Sequence, residues 1–229
     1  MPRLPRNDDR TVLVGRTGTG KTVAGLWHLS NYSYEKPKGM PWVIIDFKRD
    51  KNINSIDNLQ EIDFDYVPTD KDDGIFIIHA LPADVKGSTK EASPVESYLT
   101  KLWEREHIGI FIDETYVIGD NTGLELCLTQ GRSKLIPMIL CTQRPVWVSR
   151  FAFSEASFIQ CFALNDDRDL QTVEAFMPID FGDEEKLGKH QSFYYDIAED
   201  EIFRAAPVPA MPAIREIFAG KLHRKRVRI

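Results

Sequence analysis

Short apolar runs alternate along the chain with longer stretches in which apolar and polar residues mix. The runs are rich in β-branched and aromatic residues, which is typical of buried strands. They predict strands at 11–14, Trp42–Asp46, 74–81, 108–112, Met138–Thr142 and 158–164. Helical patterns lie at 23–30, 95–106, 123–133 and 166–176, with a shorter one near 56–59. This alternation predicts an α/β fold with a mostly parallel central sheet flanked by helices on both faces.

The two ends of the chain differ in composition from its centre. Residues 1–10 contain three arginines and predict a flexible basic arm, and residues 11–206 form the α/β domain, which closes with a hairpin of strands at 192–196 and 201–205. Residues 207–229 predict a proline-rich spacer, a short helix at 213–222 and a basic tail. The whole chain has a net charge of −6, so its basic ends lie on an acidic body and indicate either contact with an anionic partner or a solubilising tail.

Composition narrows the class of protein. A chain of 229 residues with 42% hydrophobic and 28% charged residues is typical of a globular protein with one large domain. No apolar run approaches the roughly 18 residues of a membrane span. The first ten residues also lack the apolar core of a signal peptide, so we expect the protein in a cytoplasm. The cysteines Cys127, Cys141 and Cys161 fit no metal-site spacing, which predicts reduced thiols.

The sequence GRTGTGKT at 15–22 matches the phosphate-loop pattern G-x-x-x-x-G-K-[ST] at every fixed position. It follows a predicted strand and precedes a predicted helix, so backbone N–H groups and the helix N-terminus would face a phosphate. Lys21 can reach the β- and γ-phosphates, and the Thr22 hydroxyl can ligate Mg²⁺. The predicted nucleotide-binding residues are Gly15, Arg16, Thr17, Gly18, Thr19, Gly20, Lys21 and Thr22.

Two acids follow the apolar run at 108–112. Asp113 would emerge at the carboxyl edge of a central strand, where open α/β sheets bind ligands, and can support Mg²⁺. Glu114 is placed to activate an attacking water as a general base. Gln143 ends the next predicted strand, and its amide can donate to a γ-phosphate oxygen and accept from that water.

Two strands separate the phosphate loop from Asp113 in sequence, which predicts that a further strand lies between their two strands in the sheet. Together with Glu114, this insertion resembles the additional-strand, catalytic-glutamate division of phosphate-loop ATPases and disfavours small GTPases. The set GRTGTGKT, IIDFK, IFIDE and CTQRP, over residues 11–165, resembles the FtsK/HerA superfamily of DNA-pumping ATPases. Within it, the chain is most similar to the packaging ATPases of tailless, internal-membrane-containing icosahedral viruses and phages, which implies a RecA-like fold.

The resemblance implies ATP and Mg²⁺ as ligands and a ring, usually a hexamer, in which an arginine of one subunit reaches the γ-phosphate of the next. Arg132 is the best match for that arginine, and Arg144 and Arg150 are alternatives. Asp46 and Lys48 match an Asp-x-Lys motif that has an accessory role in the translocases. Polar loops at 48–51 and 86–90 are candidates for contacting DNA.

Together with these site residues, the resemblance implies an ATP-hydrolysing motor that moves double-stranded viral DNA into a preformed capsid. Its partners would be double-stranded DNA, further copies of the chain and capsid vertex proteins, in the virion and the host cytoplasm. Three alternatives stay open: a filamentous-phage-type assembly or secretion ATPase that acts on protein, a small-molecule kinase, and a virion vertex subunit with little turnover. DNA stimulation of ATP hydrolysis and oligomeric state separate them.

Overall fold

One mixed sheet organises the computed structural model, which describes residues 3–34, 39–88, 91–182 and 186–222. Within these residues the sheet has nine strands. The strands are β1 (Arg10–Val14), β2 (Trp42–Asp46), β3 (Gln60–Glu61), β4 (Ile75–Ile78), β5 (Gly109–Asp113), β6 (Met138–Thr142), β7 (Phe158–Cys161), β8 (Ser192–Asp196) and β9 (Glu201–Ala205). The helices are α1 (Lys21–Asn31), α2 (Pro94–Arg105), α3 (Thr122–Gln130), α4 (Phe151–Ser154), α5 (Asp167–Glu174) and α6 (Met211–Lys221).

The strands lie in the order β3-β4-β2-β5-β6-β1-β7-β8-β9. The first seven in this order run parallel, whereas β8 and β9 add an antiparallel hairpin at one edge. Strand β6 lies between β1 and β5, so the predicted insertion between the phosphate-loop strand and the acidic strand is confirmed. The inserted strand comes later in the chain than both of its neighbours.

Both faces of the sheet are buried, because side chains on a strand alternate between its two sides. On β1, Val12 and Val14 pack in the cluster that includes α2 and α3. Leu13 between them packs in the opposite cluster, with residues of α1 and α6. The predicted α/β fold with helices on both faces is therefore confirmed. None of the helices in the described part of the chain combines the length and apolar character that crossing a membrane requires.

Several element bounds differ from the sequence expectation. The helix expected near 56–59 is absent from that described segment, which instead has a 3₁₀ turn at Ile53–Ser55 followed by β3. Asn58 there has a φ of 65°, a left-handed conformation that does not continue a right-handed helix. The strands expected at 74–81 and 158–164 are shorter, at Ile75–Ile78 and Phe158–Cys161. The short helix α4 has no sequence-based prediction.

The segment expected as a flexible basic arm is packed over the residues that the structure describes. Arg3 pairs with Asp9 at 2.9 Å and with Asp196 of β8 at 3.3 Å. Arg10 begins β1 and is buried, and its guanidinium donates to the carbonyl oxygens of Glu155 at 2.6 Å and Leu128 at 2.8 Å. Acidic and carbonyl partners therefore hold arginines that composition alone assigns to solvent.

The helix expected at 213–222 forms as α6 and packs against α1. Its Ile214 and Phe218 are buried, and the Lys221 ammonium donates to the carbonyl oxygens of Ser30 and Tyr32 at 2.6 and 2.8 Å. This helix is part of the core below the phosphate loop. Most of the basic tail, from residue 223 onward, lies outside the described residues.

Candidate active site

The phosphate loop connects the end of β1 to the start of α1 and is fastened to the strands on both sides. The N–H of Gly15 donates to the Thr142 carbonyl of β6 at 3.2 Å, and the N–H of Arg16 donates to the Ala163 carbonyl beyond β7 at 3.0 Å. Gly20 precedes α1 with a φ of 103°, a left-handed conformation that glycine adopts at least cost. The loop is thus shaped before any ligand binds, with the N-terminus of α1 beneath it.

Lys21 lies in the curve of this loop. Its side chain is buried, and the ammonium donates to the Arg16 carbonyl at 3.2 Å across the loop. Burial lowers the pKa of Lys21, because removing a cation from water disfavours the charged form. An anionic phosphate in the loop would compensate for this cost. Thr19 braces the same turn by donating its hydroxyl to the Arg16 carbonyl at 2.8 Å.

Thr22 and Asp113 face each other across the site. The Thr22 hydroxyl donates to Asp113 Oδ1 at 3.1 Å, although 91 residues separate the two in sequence. Asp113 Oδ2 is buried without a hydrogen-bond partner. Burial raises the pKa of Asp113 to about 6. A hydroxyl and a carboxylate oxygen that needs a partner fit a hard divalent cation such as Mg²⁺.

Glu114 follows β5 in a left-handed conformation, with φ 59° and ψ 51°. Such backbone geometry in a residue other than glycine is costly and is often found at functional sites. The side chain is 1% exposed, Oε1 pairs with the Lys48 ammonium, and Oε2 is buried without a partner. A buried carboxylate with one unpartnered oxygen can accept a proton from a water molecule in the site.

Asp46 holds the turn that carries Lys48. It lies beside Asp113 in the register of β2 and β5, and both side chains are fully buried. Its two carboxylate oxygens accept the N–H groups of Lys48 and Asp50, each at 2.9 Å. His79 Nδ1 is 3.7 Å from Asp46 Oδ2. Asp46 and Lys48 therefore belong to the second layer of the site, behind Asp113 and Glu114.

Gln143 lies at the end of β6 between the phosphate loop and the turn after Glu114. The Thr17 hydroxyl donates to Gln143 Oε1. Gln143 Nε2 donates to the Tyr116 hydroxyl at 3.1 Å. Sequence reasoning missed Tyr116; its position two residues after the Asp-Glu pair was the only available signal. The amide thus lies among the residues that sequence reasoning assigns to phosphate, metal and water.

The three candidate arginines have different surroundings. Arg144 pairs with Asp166 at 3.3 Å and Asp169 at 3.2 Å. The Arg150 guanidinium lies 5.0 Å from the centre of the Phe176 ring. The Arg132 side chain is 74% exposed and reaches Asp8 at 3.8 Å, close to the start of β1.

The phosphate loop emerges from the other end of β1, so the site of the same subunit does not include Arg132. Within the described residues, no ion pair joins Arg144 or Arg150 to Asp113 or Glu114.

A second residue that sequence reasoning missed lies on the outer side of the loop. His190 Nδ1 is 3.0 Å from the Thr19 carbonyl oxygen, and a Cβ atom on Gly20 would be 3.2 Å from the same nitrogen. A cavity of about 350 Å³ lies between loop residues 16–19 and residues 187–191. Since the two segments are about 170 residues apart, no sequence spacing indicates this contact.

No family model matches the sequence. The chain is 38% identical over 224 residues to the DNA packaging ATPase P9 of Enterobacteria phage PRD1, covering 93% of this chain and 92% of P9.

Solved structures share the fold. The genome packaging NTPase B204 of Sulfolobus turreted icosahedral virus 2, in complex with ATP-gammaS, superimposes with a TM-score of 0.66 at 15% identity, over 90% of this chain and 100% of that one. VirB4 of Thermoanaerobacter pseudethanolicus gives a TM-score of 0.54 at 12% identity, over 90% of each chain.

The identity with P9 extends over nearly the full length of both chains, whereas the solved structures support the fold alone. The resemblance to viral DNA-packaging ATPases, first indicated by four short motifs, is therefore confirmed. The RecA-like fold that it implied is confirmed as well. This chain belongs to the family of viral DNA-packaging ATPases that includes P9 of phage PRD1.

Proposed function

We propose that this protein is the ATP-hydrolysing motor that moves double-stranded viral DNA into a preformed capsid. The observation that carries the proposal is the convergence of Lys21, Thr22, Asp113, Glu114 and Gln143 at one edge of the sheet. This occurs in a chain that is 38% identical to a phage protein named DNA packaging ATPase. A phosphate loop facing a buried Asp-Glu pair is an arrangement suited to hydrolysis of a nucleoside triphosphate.

Phosphate binding is assigned to the loop itself. Its N–H groups and the N-terminus of α1 face the β- and γ-phosphates, and the Lys21 ammonium exchanges the Arg16 carbonyl for phosphate oxygens. Thr22 and Asp113 would hold Mg²⁺, which neutralises charge on the phosphates when bound. The unpartnered Oδ2 of Asp113 supports that assignment.

The hydrolytic water is assigned to Glu114 and Gln143. Oε2 of Glu114 accepts the proton of the water as it attacks the γ-phosphate, while Oε1 stays against Lys48. Gln143 has one further N–H for a γ-phosphate oxygen and one further lone pair for the water. Because both side chains are held by protein partners beforehand, little reorganisation is needed when ATP binds.

The partners follow from moving DNA against a capsid. We propose that the subunits form a ring in which Arg132 of one subunit reaches the γ-phosphate of the ATP bound by its neighbour. We assign DNA contacts to the cations of the loops at 48–51 and 86–90. Residues 89–90 of the second loop lie outside the described residues. We propose that it contacts capsid vertex proteins and that it acts at the packaging vertex of the virion and in the host cytoplasm; the similarity to a phage packaging ATPase supports this.

The deciding experiment measures ATP hydrolysis with and without double-stranded DNA over a range of protein concentrations. We expect turnover per subunit to rise with both, because DNA and neighbouring subunits complete the site. Lys21→Ala, which removes the phosphate-binding ammonium, serves as the inactive control. A turnover rate that DNA does not change would contradict a DNA motor and favour the protein-secretion alternative. A turnover rate per subunit that changes neither with DNA nor with protein concentration would favour a kinase or a vertex subunit.

A further inference from the structure

Tyr116 is a hydrogen-bond partner of Gln143 that has no role in the mechanism proposed above. It lies in the 3₁₀ turn Thr115–Val117, which begins directly after Glu114. The turn is closed by the Val117 N–H donating to the Glu114 carbonyl at 2.9 Å. It is tied to the core by Ile118, which is buried. The Tyr116 hydroxyl therefore starts from a backbone that is fixed relative to Glu114.

That hydroxyl accepts the Gln143 Nε2–H at 3.1 Å, and on the other side of the amide the Thr17 hydroxyl donates to Oε1. An amide group has two N–H donors and two carbonyl lone pairs. Two of these four groups are occupied, one by the phosphate loop and one by Tyr116. One donor and one acceptor stay available, which is the pair that a γ-phosphate oxygen and an attacking water require.

The aromatic ring of Tyr116 is braced from its far side. Its centre is 5.9 Å from the ring centre of Trp147, and the Arg144 guanidinium lies 4.7 Å from the Trp147 ring centre. Arg144 is itself held by Asp166 and Asp169. The phenol is thus placed by the turn after Glu114 and by a tilted ring contact with Trp147, in addition to its hydrogen bond with Gln143.

We propose that Tyr116 is a positioning residue for hydrolysis: its hydroxyl holds the Gln143 amide in the orientation that presents one N–H to the γ-phosphate and one lone pair to the water. Tyr116 touches neither. It also joins the turn that carries Glu114 to Gln143, so the base and the γ-phosphate contact keep a constant separation. This inference rests on the proposed role of Gln143.

The test is a double-mutant cycle on ATP hydrolysis at protein concentrations where turnover per subunit has reached its plateau. Tyr116→Phe keeps the ring and its tilted contact with Trp147 and removes only the hydroxyl. We expect kcat to fall about three- to tenfold, the worth of one hydrogen bond at the transition state, while KM for ATP changes less than about twofold. In a Gln143→Leu background the same change should have no further effect on kcat.

Tyr195→Phe is the matched control, because its hydroxyl bonds Asp200 at 2.8 Å in the hairpin of β8 and β9, away from the site. It should leave kcat unchanged. Full activity of Tyr116→Phe, or losses that multiply in the double variant, would overturn the inference. Equal thermal midpoints of Tyr116→Phe and Tyr195→Phe would show that the fall in kcat comes from lost positioning and not from lost stability.

The cycle is independent of the DNA motor proposal. Hydrolysis that DNA does not stimulate would contradict the motor and leave the cycle interpretable. Independent losses from Tyr116→Phe and Gln143→Leu in a DNA-stimulated enzyme would contradict only the role of Tyr116.

Discussion

Two carboxylate oxygens of neighbouring residues are buried without partners, Oδ2 of Asp113 and Oε2 of Glu114. Leaving a buried acceptor unpaired costs about 1–3 kcal/mol, so folded proteins rarely retain such groups without a function. Both oxygens lie beside the phosphate loop, where a cation and a water molecule would provide the missing partners. Each of the two acids therefore has one oxygen available for a further partner, which supports the roles proposed for Asp113 and Glu114.

Glu114→Gln tests the base. The amide keeps the size of the side chain but does not accept the proton of the water at neutral pH, so we expect ATP turnover to fall by about a hundredfold or more. ATP affinity should stay near the wild-type value, since the phosphate contacts are elsewhere. Nucleotide binding and turnover are measured on the same preparation. Glu104→Gln, at an exposed position of α2, is the control. Normal turnover in Glu114→Gln would remove Glu114 from its role.

Lys48→Met tests the ion pair with Glu114. Methionine retains the length of the lysine but removes a cation that pairs with Glu114 and that lowers the pKa of Asp113. We expect the acid limb of the pH–rate profile to move to higher pH, with kcat recovering as the pH rises. The profile is recorded without DNA, and Lys71→Met, in an exposed loop before β4, should leave it in place. An acid limb that stays in place in Lys48→Met would mean that Lys48 does not influence ionisation in the site.

Asp113 makes the stability of the nucleotide-free protein depend on pH. Burial raises its pKa to about 6 from the ordinary 3.8, so the folded protein binds a proton more tightly than the unfolded chain does. The stabilising contribution of the protonated acid is present below about pH 4 and is lost as the pH rises through about 6.

Asp113→Asn removes this titration and keeps a polar side chain. Relative to wild type, we expect the variant to gain up to about 3 kcal/mol in free energy of unfolding between pH 4 and pH 7.5. The measurement is denaturant unfolding with a chelator present, and Asp120→Asn, at an exposed loop position, is the control. A difference between wild type and Asp113→Asn that stays constant over this range would contradict the expectation.

At the scale of elements, the site depends on the alignment of β2 with β5. Their register places Trp42 beside Gly109 and Asp46 beside Asp113. A Cβ atom on Gly109 would lie 2.1 Å from the Trp42 indole, which is fully buried. The absence of a side chain at the start of β5 thus allows the large ring at the start of β2.

Gly109→Ala should therefore push the indole out of place and lower the free energy of unfolding by about 1–3 kcal/mol. Gly220→Ala, in α6, is the matched control, because nothing lies within 4 Å of its added Cβ atom. Alanine in that helix should be neutral or stabilise by up to about 1 kcal/mol. Both are measured by denaturant unfolding. Equal stabilities of the two variants would show that the indole has room to move.

At the scale of the whole molecule, Arg16 lies in the phosphate loop, whereas no ion pair joins the three candidate arginines to Asp113 or Glu114 within the described residues. Arg144 is paired with two acids, whereas Arg132 is largely exposed at the edge opposite the phosphate loop. From that edge Arg132 does not reach the phosphate loop of its own chain, which is consistent with the proposal that it acts on a neighbouring copy. A donated arginine contributes about 10³–10⁵ in rate in known cases.

Mixing two inactive variants tests this assignment. An Arg132→Ala subunit has an intact phosphate loop, and a Lys21→Ala subunit has an intact Arg132. Where the two are neighbours in the proposed ring, one shared site receives an intact loop from the first and an intact arginine from the second. We expect each variant alone to be inactive and the mixture to recover part of the turnover. Arg150→Ala, mixed in the same way, is the comparison. An active Arg132→Ala protein, or a mixture without recovery, would exclude Arg132 as the donated group.

The sequence by itself determined the parts of the site that are local in the chain. A strand, a glycine-rich turn and a helix define the phosphate loop, and an apolar run ending in Asp113 and Glu114 places both acids at the edge of a sheet. These signals are readable because each depends on neighbouring residues. The predicted parallel strands also implied which edge the acids share.

Only the tertiary structure decided which distant residues meet. It placed Lys48 against Glu114, joined Thr17 and Tyr116 through Gln143, and separated Arg132 from the loop. It also packed the amino-terminal arginines that composition assigns to a flexible arm. The physical reason is that these contacts bridge strands and loops far apart in sequence, whose relative positions follow from the order of strands in the sheet and from the packing of both its faces.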